Sequence, residues 1–295
     1  MAPLISRNVL RAVISGLLFS AFSCVLLRAQ TIAVQGTAID VDLHGNVYVL
    51  DAEGNTLSEF DRSGGLLRVV GGPGWQDAQF DRPAGLWARN GIDVFVADYG
   101  NHRIERFDRA LSVVSSFSTH DSGNPDERFG YPSDVALSRE GGLFISDTEN
   151  SRIVKVDQTN TVERTFGDFG AGKGRLTMPR MVGLGPKDEV YVLDGERVAV
   201  FDAFGNFLRD LVPGVFNKPV ALYADNGVVA VLDSESVFFF DAEGRPGGVF
   251  PVRSILPKPV AVRSIALGVG SLYLLVPDGV FCVPDPRLRG GAEAH

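Results

Sequence analysis

The thirteen residues VADYGNHRIERFD (96–108) place Asp98, Asn101, His102, Arg103 and Glu105 within eight positions of one another. A histidine among carboxylates and an arginine is a set from which acid–base sites are assembled. Such a reading requires the stretch to be singular, and it is not. The Asp that closes the apolar run VFVAD recurs in six copies: VYVLD at Asp51, VFVAD at Asp98, LFISD at Asp147, VYVLD at Asp194, VVAVLD at Asp233 and LYLLVPD at Asp278, spaced 47, 49, 47, 39 and 45 residues apart. A second marker keeps the same phase between copies, an aromatic or Leu two residues ahead of a residue–Pro step: FDRP (80–83), FGYP (129–132), LTMP (176–179), FNKP (216–219) and LPKP (256–259).

The elements that carry these markers are short strands. The third copy reads SDVALS (133–138), a Gly141-Gly142 turn, LFISD (143–147), RIVKVD (152–157) and VERTFG (162–167), with period-two alternation and no amphipathic helix. Four strands in about 40–50 residues is the requirement of a β-propeller blade. The sixth copy offers strands over 260–267, 271–276 and 279–284 and then runs out of chain, while TIAVQG (31–36) stands unassigned ahead of the first copy. The N-terminal strand is therefore expected to complete the last blade and remove its open edge. The fold predicted is all-β: a six-bladed propeller with four-stranded blades over 30–286, followed by a flexible tail at 287–295.

The third copy, 130–179, resembles an NHL repeat through its Asp-x-x-Asn-x-Arg-Ile core (Asp147, Asn150, Arg152, Ile153), and DYGNHRI (98–104) matches it again. Copies one, four, five and six keep the strands and the closing Asp but lose the Asn-x-Arg element. The resemblance implies a six-bladed propeller. It makes Asp98 and Arg103 scaffold: the Asp accepts hydrogen bonds in the turn after the second strand, and the Arg covers the seam between blades. Enzymes of this architecture include a zinc- and calcium-dependent amidating lyase, calcium-dependent lactonases and a streptogramin lyase. Other members bind RNA.

Composition narrows these classes. The formal net charge is −8, and without Arg7, Arg11 and Arg28 the balance is 25 basic to 36 acidic residues, which excludes the concentrated basic surface a nucleic-acid partner needs. Two cysteines, Cys24 and Cys282, make no disulfide framework. A basic start, MAPLISRNVLR, and the uncharged run AVISGLLFSAFSCVLL (12–27) have the layout of a secretory signal ending at Ala29. Cleavage after Ser23 would instead make Cys24 the first residue, a candidate for lipidation, because AFSC resembles a lipoprotein box. The protein is expected to be exported, to the periplasm or beyond, with a membrane contact only through that anchor.

Candidate site residues follow from the loops that lead into the inner strands. Arg82, Tyr131, Met178, Lys218 and Lys258 each precede the recurring Pro, with Arg180 just after Pro179, and are expected to ring the channel mouth. Trp75, in GGPGWQDAQF, is a candidate exposed anchor, whereas Trp87 is expected to pack between blades. A catalytic set is harder to assemble. His44, His102, His120 and His295 fall in different phases of the repeat and are not expected to meet. Asp40 and Asp134 lie on inner strands facing the channel, but two carboxylates are few for calcium, the one metal they could help to hold. No nucleophile elbow is present, Cys282 sits in the apolar VFCVP, and GAGKGR (170–175) lacks the Lys-Ser/Thr of a phosphate loop. The function expected is a non-catalytic binding or scaffold module with a protein partner in the envelope or outside the cell, and no cofactor. The alternatives are a metal-dependent lyase or hydrolase of lactonase type, and a sensor of carbohydrate or cell-wall ligands.

Overall fold

The protein's structure, a computed structural model, describes residues 30–225, 227–241 and 243–290. The expected signal segment at 1–29, with Cys24, and the last five residues lie outside the described residues.

Six antiparallel four-stranded sheets are arranged as blades. Blade one is β2 (Ala38–Val41), β3 (Val47–Asp51), β4 (Thr56–Phe60) and β5 (Leu66–Gly71). Blade two is β6 (Gly85–Trp87), β7 (Asp93–Asp98), β8 (Arg103–Asp108) and β9 (Val113–Phe117). Blade three is β10 (Pro132–Leu137), β11 (Leu143–Asp147), β12 (Arg152–Val156) and β13 (Val162–Phe166). Blade four is β14 (Pro179–Leu184), β15 (Val190–Asp194), β16 (Arg197–Phe201) and β17 (Phe207–Asp210). Blade five is β18 (Ala221–Asp225), β19 (Val228–Leu232), β20 (Ser236–Phe240) and β21 (Pro246–Pro251).

Blade six is β22 (Ser264–Gly268), β23 (Ser271–Val276), β24 (Gly279–Pro284) and, as its outer strand, β1 (Gln30–Ile32). Thr31 pairs with Phe281 and Ile32 with Val280, so the N-terminal strand closes the ring as its sequence position requires. The strand is shorter than the 31–36 run, and β22 begins at Ser264 rather than at 260. The tail expected from 287 is a 3-10 turn over Pro286–Gly290; Arg287 Nε donates to Asp285 at 3.0 Å and its guanidinium lies 4.7 Å from the Phe239 ring.

Burial explains the layering. The second strands are apolar on both faces, as in β11 and β15, where every residue is buried, because each sheet is covered by a blade on either side. Outer strands such as β9 alternate between half-buried and exposed. The apolar clusters straddle seams: Tyr48 and Leu50 pack with Phe80, Val94 and Phe107 between blades one and two, and Leu193 and Val198 with Leu222 and Val231 between blades four and five. Near the axis the blades approach so closely that a Cβ on Gly85 would lie 2.5 Å from the Asp134 Cα.

Turn chemistry repeats as regularly as the strands. Between third and fourth strands, Asp61, Asp157, Asp202 and Asp241 each accept the N–H groups two and four residues on, for example Thr159 and Thr161 onto Asp157 at 2.8 Å. The antiparallel order places these turns, and those joining first to second strands, on one face of the disc. The turns between second and third strands share the opposite face with the connections from one blade to the next.

Candidate functional site

The closing aspartates organise that second face. In blades two to five the side chain is buried and accepts from the backbone just ahead of the inner strand: Asp98 from Asp81 at 2.9 Å, Asp147 from Gly130 at 3.1 Å, Asp194 from Met178 at 2.6 Å and Asp233 from Asn217 at 2.9 Å. Asp278 departs from the pattern and is exposed in its hairpin. Arg103 Nε meets Asp98 at 2.8 Å while its Nη atoms reach the carbonyls of Trp75, Gln76 and Gln79 in the incoming connection; Arg152 does the same with Asp147 and the Arg128 carbonyl. The opening cluster is therefore scaffold, sealing a blade seam. Blade four carries the same device, which the motif missed: Arg197 Nε bonds Asp194 at 3.0 Å across a turn two residues shorter.

The channel mouth is a ring with one residue from each blade: Thr37, Ala84, Ser133, Arg180, Val220 and Arg263. Three of them donate to the carbonyl just before the next blade's ring residue. Ser133 Oγ bonds Pro179 O at 3.1 Å, Arg180 Nη2 bonds Pro219 O at 2.7 Å, and Arg263 Nη1 bonds Gly36 O at 3.1 Å. Below the ring lies a cavity of about 100 Å³, walled further by Asp134 and Ser264 and reaching Arg89. Arg180 lines this cavity. Arg82, Tyr131, Met178, Lys218 and Lys258 do not line the cavity, which corrects the ring read from the sequence. The reason is local: Arg82, Tyr131 and Lys218 have φ of 51°, 47° and 51°, a left-handed backbone disfavoured before proline. At Arg82 and Tyr131 it is held by N–H bonds to Asn55 Oδ1 and His102 Nδ1.

Asp40 and Asp134 do sit on inner strands, buried at two depths of the channel, each accepting from the next blade: Ala88 N–H to Asp40 at 3.0 Å, Val182 N–H to Asp134 at 2.9 Å. Arg89 was not foreseen. Its Nε lies 3.1 Å from Asp40 Oδ2, its Nη1 donates to Ala224 O at 2.6 Å in blade five, and its guanidinium lies 4.2 Å from the Tyr223 ring. It is a strut from blade two to blades one and five that closes the channel. Burial pushes the Asp40 carboxyl up, while Arg89 and the N–H groups of Ala88 and Val41 pull it back. For Asp134 burial dominates and the pKa is pushed up to about 7, against the N–H groups of Val182 and Val135. The oxygens of both carboxylates are engaged by these donors, with a fixed cation beside them, so the pair does not fit calcium. Among the described residues no three His, Cys, Asp or Glu side chains converge as a metal set.

On the surrounding face, His102 and His120 do meet, with ring centroids 4.7 Å apart. They occupy different phases of the repeat, but the turn of blade two and the connection leaving that blade open on the same face. Burial and the neighbouring His120 hold His102 below its ordinary pKa, consistent with its neutral Nδ1 accepting the Tyr131 N–H. A continuous row results: the Arg82 guanidinium over Tyr99 at 5.6 Å, Tyr99 to Tyr131 at 5.0 Å, and Tyr131 to His102 at 4.2 Å. Trp75 on one side and Phe169 and Met178 on the other are exposed, at 76%, 81% and 58%. Arg175 lies 4.4 Å from the Phe169 ring, beside an open groove of about 270 Å³ bordered by Glu149, Ser151 and Thr177. Trp87, by contrast, is buried against Phe95.

Fold and site together define a six-bladed β-propeller in which Asp–Arg pairs of blades two, three and four lock seams. The family model for the NHL repeat matches residues 129–156, so the chain carries an NHL repeat that spans most of blade three. It is 33% identical over 138 residues to the protein brain tumor of Drosophila melanogaster, a match spanning 46% of this chain and 13% of that protein. Among solved structures it superposes on a streptogramin B lyase with a TM-score of 0.59 at 11% identity, over 88% of this chain and 97% of that one. A chain of a nidogen/laminin complex gives 0.57 at 16% identity, over 74% and 80%. At these identities the superpositions show the fold.

Proposed function

We propose that this protein is an exported binding module that docks another protein on the face bearing the blade-to-blade connections. One observation carries the reading: the row Arg82–Tyr99–Tyr131–His102, flanked by Trp75, Phe169 and Met178, leaves aromatic surface exposed on loops that buried Asp–Arg pairs hold rigid. Exposed aromatics and arginine on a rigid support are the usual anchors of a protein interface, because little conformational entropy is lost when they are covered. A nidogen/laminin assembly includes a propeller of this shape, which supports the reading by analogy. The lyase or hydrolase alternative draws support from the fold shared with a streptogramin B lyase and a gluconolactonase, and from 35% identity over 81 residues to a probable peptidyl-alpha-hydroxyglycine alpha-amidating lyase of Caenorhabditis elegans.

The test is site-specific photocrosslinking in cells, with the probe at Tyr131 or Phe169 and, as control, at Phe204 on the opposite face, whose exposure lies between theirs. A discrete adduct from Tyr131 and Phe169, abolished by Trp75→Ala with Tyr99→Ala, is the expected result. Equal adducts from Phe204, or none from the connection face, would overturn it.

A further inference from the structure

Three buried side-chain polar atoms among the described residues lack a hydrogen-bond partner, and one of them, Arg180 Nε, belongs to the channel mouth. Its Nη2 is committed to the carbonyls of Gly195 and Pro219, so the guanidinium cannot swing away to satisfy Nε. Buried N–H groups without acceptors are rare in folded proteins and call for an explanation. Arg263, at the equivalent position two blades on, spends one donor on Gly36 O. Neither arginine has a carboxylate partner among the described residues, in a chain where Arg68, Arg89, Arg103, Arg152, Arg197 and Arg209 all do.

We infer that the upper channel is a carboxylate pocket, into which the protein docked on this face inserts an acidic side chain that Arg180 and Arg263 hold. Guanidinium donors match the planar pair of oxygens of a carboxylate, and the cavity limits the anion to that size. The cavity, about 100 Å³, has room for roughly three waters' worth of ligand, the size of a side-chain carboxyl with its methylenes. Arg89 closes the far end and adds positive potential beneath the entering anion. Ser264 offers a hydroxyl in the wall, and Asp134, largely protonated below neutrality, offers an O–H rather than a repelling charge.

The inference rests on the docking reading above, and its test separates the two. Arginine Nε–H resonances of the ¹⁵N-labelled protein are followed during titration with propionate and with propionamide, its uncharged counterpart. Arg180 is identified by the resonance that Arg180→Gln removes. The expected result is a saturable shift of the Arg180 signal with propionate alone. Affinity, read from backbone amides around the mouth, should fall about tenfold in Arg180→Gln and in Arg263→Gln, with no change in Arg245→Gln on the far face. A motionless Arg180 signal, an equal response to propionamide, or equal binding by Arg180→Gln and Arg245→Gln overturns the pocket while leaving face-specific crosslinking intact. Propionate binding without crosslinking from Tyr131 overturns the inserted side chain in favour of a free small carboxylate.

Discussion

The two ends of the channel use the same residue type to opposite effect. At the closed end Arg89 is matched at each turn: a carboxylate on Nε, a carbonyl across the channel on Nη1, an aromatic face beneath. At the mouth Arg180 and Arg263 meet carbonyls and, among the described residues, no carboxylate, and a buried N–H is left over. A fully matched charge in the axis of a propeller ties distant blades together. An incompletely matched one keeps donors in hand for something that arrives from outside. Both are arginines on or beside inner strands, and the sequence around them does not distinguish the roles.

Breaking the closed end should have the largest effect. Arg89→Met strands the buried Asp40 carboxylate, and losing one partner of such a pair costs about 3–5 kcal/mol. The double variant Asp40→Asn/Arg89→Met should recover most of that, since the uncompensated charge has gone. Urea denaturation of the two variants checks it; equal losses would mean that Arg89 acts through packing over Tyr223 instead of through charge.

Asp134 sharpens the contrast between the ends, because it is a buried carboxylate beside the mouth that has no ion-pair partner among the described residues. Its pKa is raised from 3.8 to about 7 by burial, so the folded state binds its proton more tightly than the unfolded state does. Stability from this group is therefore present below about pH 4 and is lost as pH rises through about 7, by a few kcal/mol at most. Asp134→Asn keeps an acceptor for the Val182 N–H and removes the charge. Its thermal stability relative to wild type should rise between pH 5 and pH 8; a pH-independent difference would place Asp134 in an environment that keeps it ionised.

Much of this fold is legible in the sequence, and the reasons are physical. The closing Asp and the recurring Pro recur because each blade must solve the same turn and seam problem, so they report the fold faithfully. The Asp of FDRSGG, VDQTNT, FDAFGN and FDAEGR repeats in the same phase and marks the third hairpin of blades one, three, four and five. Arg197 was hidden by a turn two residues shorter, which breaks the Asn-x-Arg spacing without breaking the Asp–Arg contact. The mouth ring was read from the residues before the prolines. The structure shows the residues after them lining the cavity, with blade six displaced again because Pro259 lies well ahead of β22. Arg89 and the meeting of His102 with His120 depend on which loops share a face and how far a side chain reaches across the axis. Spacing along a chain carries neither quantity.

The smallest expected effect is the one that decides whether the mouth is a site or a second strut. Arg180→Gln removes the Nη2 bonds to Gly195 and Pro219, whose carbonyls can turn to solvent at the channel entrance, and it also removes the unsatisfied Nε–H. These contributions oppose one another, since a lost hydrogen bond costs about 1 kcal/mol and a relieved buried donor returns a similar amount. The variant should therefore unfold within about 1 kcal/mol of wild type in the same urea experiment that unfolds Arg89→Met early. A loss comparable to that of Arg89→Met would make Arg180 a structural tie between blades four and five. A near-neutral result leaves a half-buried cation at the mouth that the fold does not require, and a binding role then accounts for its position.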